Sequence, residues 1–336
     1  MITASFCIPT YNRGSKVYES IQKTLSNCSN VNYEIIVLDN LSNDNTSVLL
    51  KSIVDKRFKY FVNEESIIGP LNIIKSLSYA NGKYAFLCLD KDFIDFNYID
   101  SLIDRLNSMP NVAFGYCSLN LNGIAEDSFY LKGFESLLNM SYLSAHPTGM
   151  FYNTDLFKAI NFYDNISDRS KIFGFYPDIL NAEMAVLGSS SIIRIPVFNT
   201  ETIIECEEVK SYTFKNEEDL FFTPNNRSKH FLIYAEHLLN RNISSDDKMK
   251  VLERIYLSEL SASTIGFKAI LENKPICKHY YINTRKVGIN ELVRIYFRFT
   301  FNFFREKMQI NNFEKLKICL GQSRILFLKL FRKVFR

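Results

Sequence analysis

Two aspartates separated by one residue stand at the end of an apolar run. Residues 85–89 read Ala-Phe-Leu-Cys-Leu and lead directly into Asp90-Lys91-Asp92. Two carboxylates at this spacing, where a buried strand reaches solvent, form a compact oxygen-ligand site for Mn²⁺ or Mg²⁺. Such a cation suits a diphosphate, whose negative charge must be neutralised when it leaves. Because Asp-x-Asp also occurs in surface turns, the motif alone leaves an ordinary turn as the alternative.

The order of the predicted elements indicates how these aspartates are positioned. Short apolar runs alternate with longer amphipathic segments through the first half of the chain. This alternation predicts an α/β fold with a mostly parallel sheet and helices on both faces, followed by a helical region. The predicted strands are 6–8, 34–39, 58–62 and 85–89, and the predicted helices are 17–26, 46–54, 71–80, 179–187, 228–240, 246–272 and two segments within 289–336.

Polar residues follow three of these strands. Pro9–Arg13 comes after the first strand, Asp39–Asp44 after the second, and Asp90–Asp92 after the fourth. Because ligands bind beyond the carboxyl ends of parallel strands, we expect the three clusters to converge on one crevice. No GxGxxG or GxxxxGK[ST] motif follows a strand, which disfavours dinucleotide binding and P-loop nucleotide binding.

The composition is that of a packed globular protein in a reducing compartment. The chain has 336 residues, of which 47% are hydrophobic, so it is long enough to bury a large core. Seven cysteines without a CxxC pair and four histidines argue against a disulfide framework and a structural zinc site. The start has no signal-peptide pattern, and no run of about 18 uncharged apolar residues predicts a spanning helix. These features predict a cytoplasmic protein.

The positive charge is concentrated near the C-terminal end. Residues 291–336 hold eleven Lys and Arg against three acids, a local charge of +8 within a total of +4. In 324–336, basic and apolar residues fall on opposite faces of a predicted helix, which is typical of a helix lying on an anionic membrane. Packing on the protein or across a homodimer is the alternative. Phe and Leu between the charges argue against a nucleic-acid partner.

The first ~100 residues resemble the family 2 inverting glycosyltransferases, which have the GT-A fold. Three motifs carry the resemblance in the family's order and spacing. They are SFCIPTYNR (Ser5–Arg13), EIIVLDNLSNDNT (Glu34–Thr46), and the series Gly69–Asn72, Ala80–Tyr84 and LCLDKD (Leu87–Asp92), which contains the DXD motif. The match fades after about Ser118 and is only positional around 146–188.

The resemblance implies a role for each matching residue. Asp39 would accept a hydrogen bond from the base, Asp92 would ligate Mn²⁺ or Mg²⁺ directly with Asp90 beside it, and Asp178 would be the general base. The residues that would line the nucleotide pocket are Pro9, Thr10, Tyr11, Arg13, Asp39, Asn72, Asp90 and Lys91. The residues positioned to contact the acceptor or the donor sugar are His146, Thr148 and Gly149.

Three positions depart from the family pattern. Asn40 replaces a second acid after the second strand, Lys91 fills the middle of the DXD motif, and Pro177 stands where the family usually has Glu. Asp178 therefore has an alternative reading as a first-turn charge that faces the helix dipole. His146 likewise has two readings, as a group that orients a sugar hydroxyl or acts as an alternative base, and as an ordinary turn histidine.

These residues and the resemblance together predict an inverting hexosyl- or N-acetylhexosaminyltransferase that uses a nucleoside diphosphate sugar. The favoured donor is a UDP-sugar. The acceptor would be a glycan hydroxyl, as in a polyprenyl-diphosphate-linked saccharide of bacterial capsule or O-antigen synthesis, on the inner face of the membrane. We predict a GT-A domain over 1–225, with a nucleotide-sugar half (1–118) and an acceptor half (119–225), and a helical region over 226–336. The alternatives are a GT-A-like nucleotidylyltransferase and a non-catalytic, membrane-associated scaffold.

Overall fold

The computed structural model describes residues 2–26, 31–117, 127–143, 146–165, 176–199 and 220–320. The chain divides into two units, each with its own core. The sheet unit comprises Met1–Ser167 and Tyr176–Tyr212, and the helical unit comprises Asp168–Phe175 and Thr213–Arg336. The domain boundary predicted between 225 and 226 stays a prediction. The basic tail at 324–336 lies outside the described residues.

The sheet unit is built on a mixed eight-stranded sheet with the order β3-β2-β1-β4-β8-β6-β9-β7. A separate antiparallel pair joins β5 to β10. The strands in chain order are β1 (Ala4–Thr10), β2 (Tyr33–Asp39), β3 (Phe58–Val62), β4 (Tyr84–Leu87), β5 (Phe93–Ile94), β6 (Val112–Cys117), β7 (Ser128–Tyr130), β8 (Met150–Asn153), β9 (Ser189–Ile193) and β10 (Phe198–Asn199).

Parallel pairing dominates the half of the sheet that comes first in the chain. β1 pairs in parallel with β2 and with β4, and β2 pairs in parallel with β3. β8 then runs antiparallel between β4 and β6. The α/β prediction is confirmed, and the carboxyl ends of β1, β2 and β4 lie on one edge.

Helices connect these strands, as the alternating pattern predicted. The helices of the sheet unit are α1 (Gly14–Leu25), α2 (Thr46–Lys51), α3 (Gly69–Leu77), α4 (Ile99–Ser108), α5 (Phe134–Met140), α6 (Thr154–Ile160), α7 (Phe162–Asn165) and α8 (Tyr176–Ala185). Every residue of β1, β2 and β4 is buried, as expected for strands whose two faces are both covered. A Cβ at Gly14 would lie 2.7 Å from Thr46 Cα, so only glycine lets α1 begin this close to α2.

A buried carboxylate ties three neighbouring strands together behind the crevice. Glu34 of β2 accepts hydrogen bonds from Ser5 Oγ of β1 at 2.6 Å and from Lys59 Nζ of β3 at 2.6 Å. The backbone N–H of Asn81, just before β4, donates to it at 2.7 Å. Burial opposes ionisation of Glu34, but these hydrogen bonds outweigh it and lower the pKa of the carboxyl.

A Glu34→Gln variant is expected to lose about 1–3 kcal/mol of unfolding free energy, because the amide cannot satisfy the same three donors. The folded-state pKa of Glu34 is lower than that of an ordinary carboxyl group. Its contribution to the free energy of unfolding is therefore complete at pH values above the ordinary carboxyl pKa, and it is lost as the pH falls through the lowered pKa. Urea unfolding at neutral and acidic pH should show the difference from wild type shrinking on acidification. Glu19→Gln, at an exposed position on α1, is the matched control. A constant difference at both pH values would contradict this account.

The helical unit confirms the helical region predicted after the sheet. Its helices are α9 (Pro224–Leu239), α10 (Ser245–Ser261), α11 (Phe267–Leu271), α12 (Lys274–His279), α13 (Ile289–Arg305) and α14 (312–320), with a π-helical turn at Ala262–Gly266 between α10 and α11. Its core is aromatic: the rings of Phe231 and Phe299 lie 5.7 Å apart, and those of Tyr256 and Phe303 lie 5.5 Å apart. Within the part of the chain that the structure describes, no helix combines the length and apolar content needed to cross a bilayer.

Candidate functional site

The first and fourth strand ends meet at Asp90. Thr10 Oγ1, at the end of β1, donates to Asp90 Oδ2 at 3.0 Å, and Arg13 Nη1 lies 3.5 Å from Asp90 Oδ1. The backbone N–H of Tyr11 also donates to the Asp90 carboxylate. Burial raises the pKa of Asp90, and the Arg13 charge and the Thr10 hydrogen bond oppose that rise. The convergence of these two predicted clusters is therefore observed.

Asp92 contacts Thr148, which lies 56 residues further along the chain. The Thr148 hydroxyl donates to Asp92 Oδ2, and the same hydroxyl accepts the backbone N–H of Leu89 at 2.9 Å. His146 Nδ1 lies 3.8 Å from Asp92 Oδ2 and accepts the Thr148 N–H at 3.4 Å. The Asp92 side chain is 0% exposed, whereas that of Asp90 is 11% exposed. The two carboxylates thus differ in access to solvent.

The His146 imidazole is neutral at physiological pH. Burial, followed by the positive charge of Lys91, lowers the pKa of His146 to about 4. Because Nδ1 accepts the Thr148 N–H, the proton of the neutral ring is on Nε2. His146 therefore offers an N–H donor at Nε2 and is a weak base.

Gly149 completes this segment through its backbone. Its φ of 94° lies in the left-handed region that glycine adopts without strain. Gly149 N–H donates to Leu87 O of β4 at 2.9 Å, and its carbonyl accepts Cys117 N–H of β6 at 2.8 Å. These bonds fix residues 146–149 over the Asp90–Asp92 turn, just before β8 begins.

The carboxylate of Asp39, at the end of β2, already accepts three hydrogen bonds from protein groups. Asp39 Oδ1 accepts from Ser42 N–H at 2.9 Å and from Ser42 Oγ at 2.5 Å, and Tyr60 OH donates to Oδ2 at 2.6 Å. Burial, followed by this hydrogen bond, raises the pKa of Tyr60. A carboxylate has about four acceptor positions, so Asp39 can accept one further hydrogen bond. Its contact with a nucleotide base stays a prediction.

Asn12 links the loops after the first two strands. Its backbone N–H donates to Ser42 Oγ at 2.8 Å, and its side-chain Oδ1 accepts the N–H of Asn43 at 2.9 Å. The φ of Asn12 is 54°, a conformation that asparagine tolerates better than most residues. Asn12 stands within the SFCIPTYNR motif, but neither its linking role nor the contact of Tyr60 with Asp39 was predicted from the sequence.

Asn72 lies in a buried amide network. Asn63 Nδ2 donates to Asn72 Oδ1 at 2.8 Å and to Asn40 Oδ1 at 3.0 Å, while Asn72 Nδ2 donates to Leu38 O at 3.2 Å. Asn72 is 1% exposed. The network positions the end of β2 against α3. A direct contact between Asn72 and a nucleotide stays a prediction, and so do the contacts of half-buried Tyr11 and Lys91 and of buried Pro9.

Asp178 lies in the first turn of α8 and is buried. Burial and then the Asp178 charge raise the pKa of Tyr152 in β8. Tyr152 OH donates to Asn181 Oδ1, one turn further along α8, at 3.0 Å. Since β8 starts right after Gly149 and pairs with β4, this hydrogen bond ties α8 to the strand that continues from the segment over Asp92. The role of Asp178 as the base stays a prediction.

The donor atoms present fit a divalent cation that is bound together with a diphosphate. No group of three His, Cys, Asp or Glu side chains with metal-binding geometry occurs among the described residues. Mg²⁺ typically takes one or two protein carboxylates and completes its shell with water and substrate phosphates. Asp90 and Asp92 supply that number of carboxylates, with Asp90 the more exposed.

A Thr148→Val variant is expected to lose about 1–3 kcal/mol of unfolding free energy, because the partly buried N–H of Leu89 loses its acceptor. Asp92 would also lose the donor that orients it, so calorimetric binding of Mn²⁺ with a nucleoside diphosphate should weaken. Thr148→Ser keeps the hydroxyl and is the matched control, expected to retain cation binding. Equal cation binding by the valine and serine variants would contradict the positioning role of Thr148.

The strand ends described above lie in a segment that matches a known protein family. Residues 5–144 match the family model "Glycosyl transferase family 2". The match includes Asp39, Asp90 and Asp92 and ends before Asp178. The prediction that the chain carries a glycosyltransferase domain is confirmed by this match. No curated protein matches the sequence.

Solved structures of S. aureus TarS share the fold. TarS 1–349 matches with a TM-score of 0.56 and 14% identity over 90% of each chain. The same fragment in complex with UDP-GlcNAc matches with a TM-score of 0.57 and 15% identity, over 90% of this chain and 91% of that one. A longer TarS chain matches with a TM-score of 0.58 and 15% identity over 49% of its length. The predicted fold, with a helical region after the sheet, is confirmed.

Proposed function

We propose that this protein transfers a sugar from a nucleoside diphosphate sugar to a glycan hydroxyl, with inversion at the anomeric carbon. The observation that carries the proposal is the convergence of Thr10, Arg13 and Asp90 at the carboxyl ends of β1 and β4. This is the edge at which open α/β sheets bind their ligands. It lies inside the segment that matches glycosyl transferase family 2.

The proposed donor is a UDP-sugar. TarS, which shares the fold, has been solved with UDP-GlcNAc and with UDP. In this chain the remaining acceptor position of Asp39 suits an N–H group of the base, as a uracil offers. Arg13 lies beside Asp90 where a diphosphate would need positive charge. An N-acetylhexosamine is the first sugar to test, and a hexose the second.

Asp90 and Asp92 are the residues that would hold Mn²⁺ or Mg²⁺. A bound cation would act as a Lewis acid that stabilises negative charge on the departing diphosphate. The chain's own contribution is orientation: Thr148 holds the Asp92 carboxylate, and Thr10 with the Tyr11 N–H holds Asp90. Neutral His146 can donate from Nε2 to a sugar hydroxyl.

Asp178 is the proposed general base. It takes the proton of the acceptor hydroxyl while that oxygen forms a bond to the anomeric carbon. The bond from the anomeric carbon to the diphosphate oxygen breaks on the opposite side, and its electron pair leaves with the nucleoside diphosphate. A single displacement of this kind inverts the anomeric configuration without a covalent enzyme intermediate.

The proposed acceptor is a lipid-linked saccharide, such as one carried on polyprenyl diphosphate in bacterial capsule or O-antigen synthesis. The basic, amphipathic sequence at 324–336 supports a place on the inner face of the membrane. Residues 119–225 are the proposed acceptor half of the catalytic domain.

A nucleotide-release screen tests the proposal. The purified protein is incubated with Mn²⁺ and a panel of UDP-, GDP- and TDP-sugars, and the released nucleoside diphosphate is measured with and without glycan acceptors. We expect nucleoside diphosphate to be released from at least one donor. The release should be faster with an acceptor and should be abolished when Mn²⁺ is chelated.

Calorimetry provides the second readout, since tighter binding of UTP than of UDP would indicate a nucleotidylyltransferase. Binding of neither nucleotide would indicate a non-catalytic scaffold.

A further inference from the structure

The helical unit contains a pocket of about 520 Å³ between the start of α9 and the exposed side of α13. This volume is within the range of small-ligand sites. The residues that line it are Thr223, Pro224, Asn225, Ser228, Phe267, Glu291, Arg294, Ile295, Arg298, Phe299 and Asn302. The glycosyltransferase chemistry proposed above uses none of these residues.

The pocket has uncompensated positive charge. Arg294 and Arg298 lie one helical turn apart on α13, both exposed, and among the described residues neither forms an ion pair. The carboxylate of Glu291 also lines the pocket, but both of its oxygens accept from Arg285, at 2.9 and 2.8 Å. Among the residues that the structure describes, no carboxylate therefore pairs with these two exposed guanidinium groups, which favours an anion with several oxygens.

The start of α9 adds further donors to the same pocket. The N-terminus of this 16-residue helix carries the positive end of the helix dipole, and Asn225 lies in its first turn. Thr223 precedes the helix and makes no side-chain cap. Its Oγ1 is buried, in a residue 8% exposed, and has no hydrogen-bond partner among the described residues. A buried hydroxyl without a partner is costly, so a ligand oxygen at this position would stabilise the site.

An apolar stripe runs along α13 next to the two arginines. Ile289, Val293, Phe297 and Phe301 recur every four residues and are all exposed, with Phe297 at 65% and Phe301 at 59%. Other aromatic residues of α13 face inward, since Phe299 and Phe303 pack in the core of the helical unit. Bulky aromatic side chains exposed beside arginines are the pattern of a helix that lies in a lipid–water interface.

We propose that the α9–α13 pocket binds the phosphate of an anionic membrane lipid, while the α13 stripe inserts beside its acyl chains. The arginines and the start of α9 recognise the phosphate oxygens, and Thr223 Oγ1 donates to one of them. The stripe favours a lipid over a soluble phosphate ester, which would leave Phe297 and Phe301 in water. The proposal concerns a surface of the helical unit and does not depend on the transfer activity.

Vesicle co-sedimentation of the full-length protein tests this proposal. Wild type should bind vesicles of phosphatidylcholine with phosphatidylglycerol more tightly than vesicles of phosphatidylcholine alone. Arg294→Gln with Arg298→Gln should weaken that binding about 30-fold, since each basic residue near an anionic surface raises the affinity about five-fold. Phe297→Ser with Phe301→Ser should weaken binding to both vesicle types.

Matched variants separate this surface from the rest of the chain. Lys274→Gln with Lys278→Gln removes the same charge from exposed positions on α12 and should leave vesicle binding nearly unchanged. A tail variant with Lys329, Arg332, Lys333 and Arg336 replaced by Gln reports separately on 324–336. If only the tail variant lost binding, the proposal would be overturned. Far-ultraviolet circular dichroism and urea unfolding check that each variant is folded.

Two other occupants of this surface give distinct results. If inorganic phosphate bound wild type but not the arginine variant, and vesicle binding were equal in both, the pocket would serve a soluble phosphate ester. If wild type were a dimer by light scattering and the Phe297 and Phe301 variant a monomer with unchanged vesicle binding, the stripe would be a subunit interface. Either result overturns the lipid proposal.

The transfer activity provides a further control. In the absence of vesicles, the variant with Arg294→Gln and Arg298→Gln is expected to release nucleotide at the wild-type rate.

Discussion

An Asp178→Asn variant is expected to transfer sugar to its acceptor about 10²- to 10⁴-fold more slowly than wild type, because it lacks the proposed general base. Asparagine keeps the shape of the side chain in the first turn of α8. The lost charge–dipole interaction should cost only about 0.3–1 kcal/mol of stability. Binding of UDP with Mn²⁺, measured by calorimetry, should be unchanged. The loss should therefore appear in kcat and not in donor affinity.

Glu183→Gln provides the control on the same helix, because it removes a carboxylate from a half-buried position of α8 without touching Asp178. It should transfer sugar at close to the wild-type rate. If the Asp178 variant kept wild-type transfer while losing stability, Asp178 would be a first-turn charge and no more. The proton acceptor would then have to be another group, and His146, with a pKa of about 4, is a weak candidate.

An Asp92→Asn variant is expected to lower kcat/KM for the donor by at least about 10²-fold at a fixed Mn²⁺ concentration, because the proposed cation site loses a charged ligand. The fold should survive, since the asparagine Oδ1 can still accept the Thr148 hydroxyl. Calorimetry should show weaker UDP binding in the presence of Mn²⁺ and little change in its absence. Wild-type nucleotide release from every donor would contradict the assignment.

Asp104→Asn is the matched control for Asp92, because Asp104 is an exposed aspartate on α4 and should tolerate the change. Asp90→Asn makes a different test. It removes the carboxylate that orients Arg13 as well as a proposed cation ligand, so it should weaken UDP binding with or without Mn²⁺. If the two variants behaved identically without Mn²⁺, separate roles for Asp90 and Asp92 would be wrong.

Much of the sheet unit was predictable because its signals are local. Apolar runs and amphipathic runs alternate over short distances, so the strand at 58–62 was placed at its observed bounds and the other three predicted strands within two residues at each end. The three strand-end clusters were equally readable, since parallel strands bring their carboxyl ends to one edge. The Asp90 contacts with Thr10 and Arg13 follow from that rule together with the β1–β4 pairing.

The contact of Thr148 with Asp92 and the buried amide network could not be predicted from local sequence patterns. Thr148 reaches Asp92 only because β8 enters the sheet antiparallel between β4 and β6. Antiparallel insertion leaves no distinctive pattern in four residues. The Asn40–Asn63–Asn72 network likewise joins three segments whose amides look like ordinary surface residues in the sequence.

The aromatic run in α13 shows the same division. Its composition was evident from the sequence, but which rings are buried depends on the face that packs against α9 and α10. Packing takes Phe299 and Phe303 into the core and leaves Phe297 and Phe301 exposed beside Arg294 and Arg298. The pocket at the start of α9 arises from the same packing.

The polar residues at the strand ends, the α/β order and the basic C-terminal region could all be read from neighbouring residues in the chain. The folded structure was needed to show which carboxylate is covered, which amides are satisfied internally and which arginines have no carboxylate partner among the described residues. Those properties depend on contacts between residues far apart in the chain, and strand register and helix packing set those contacts.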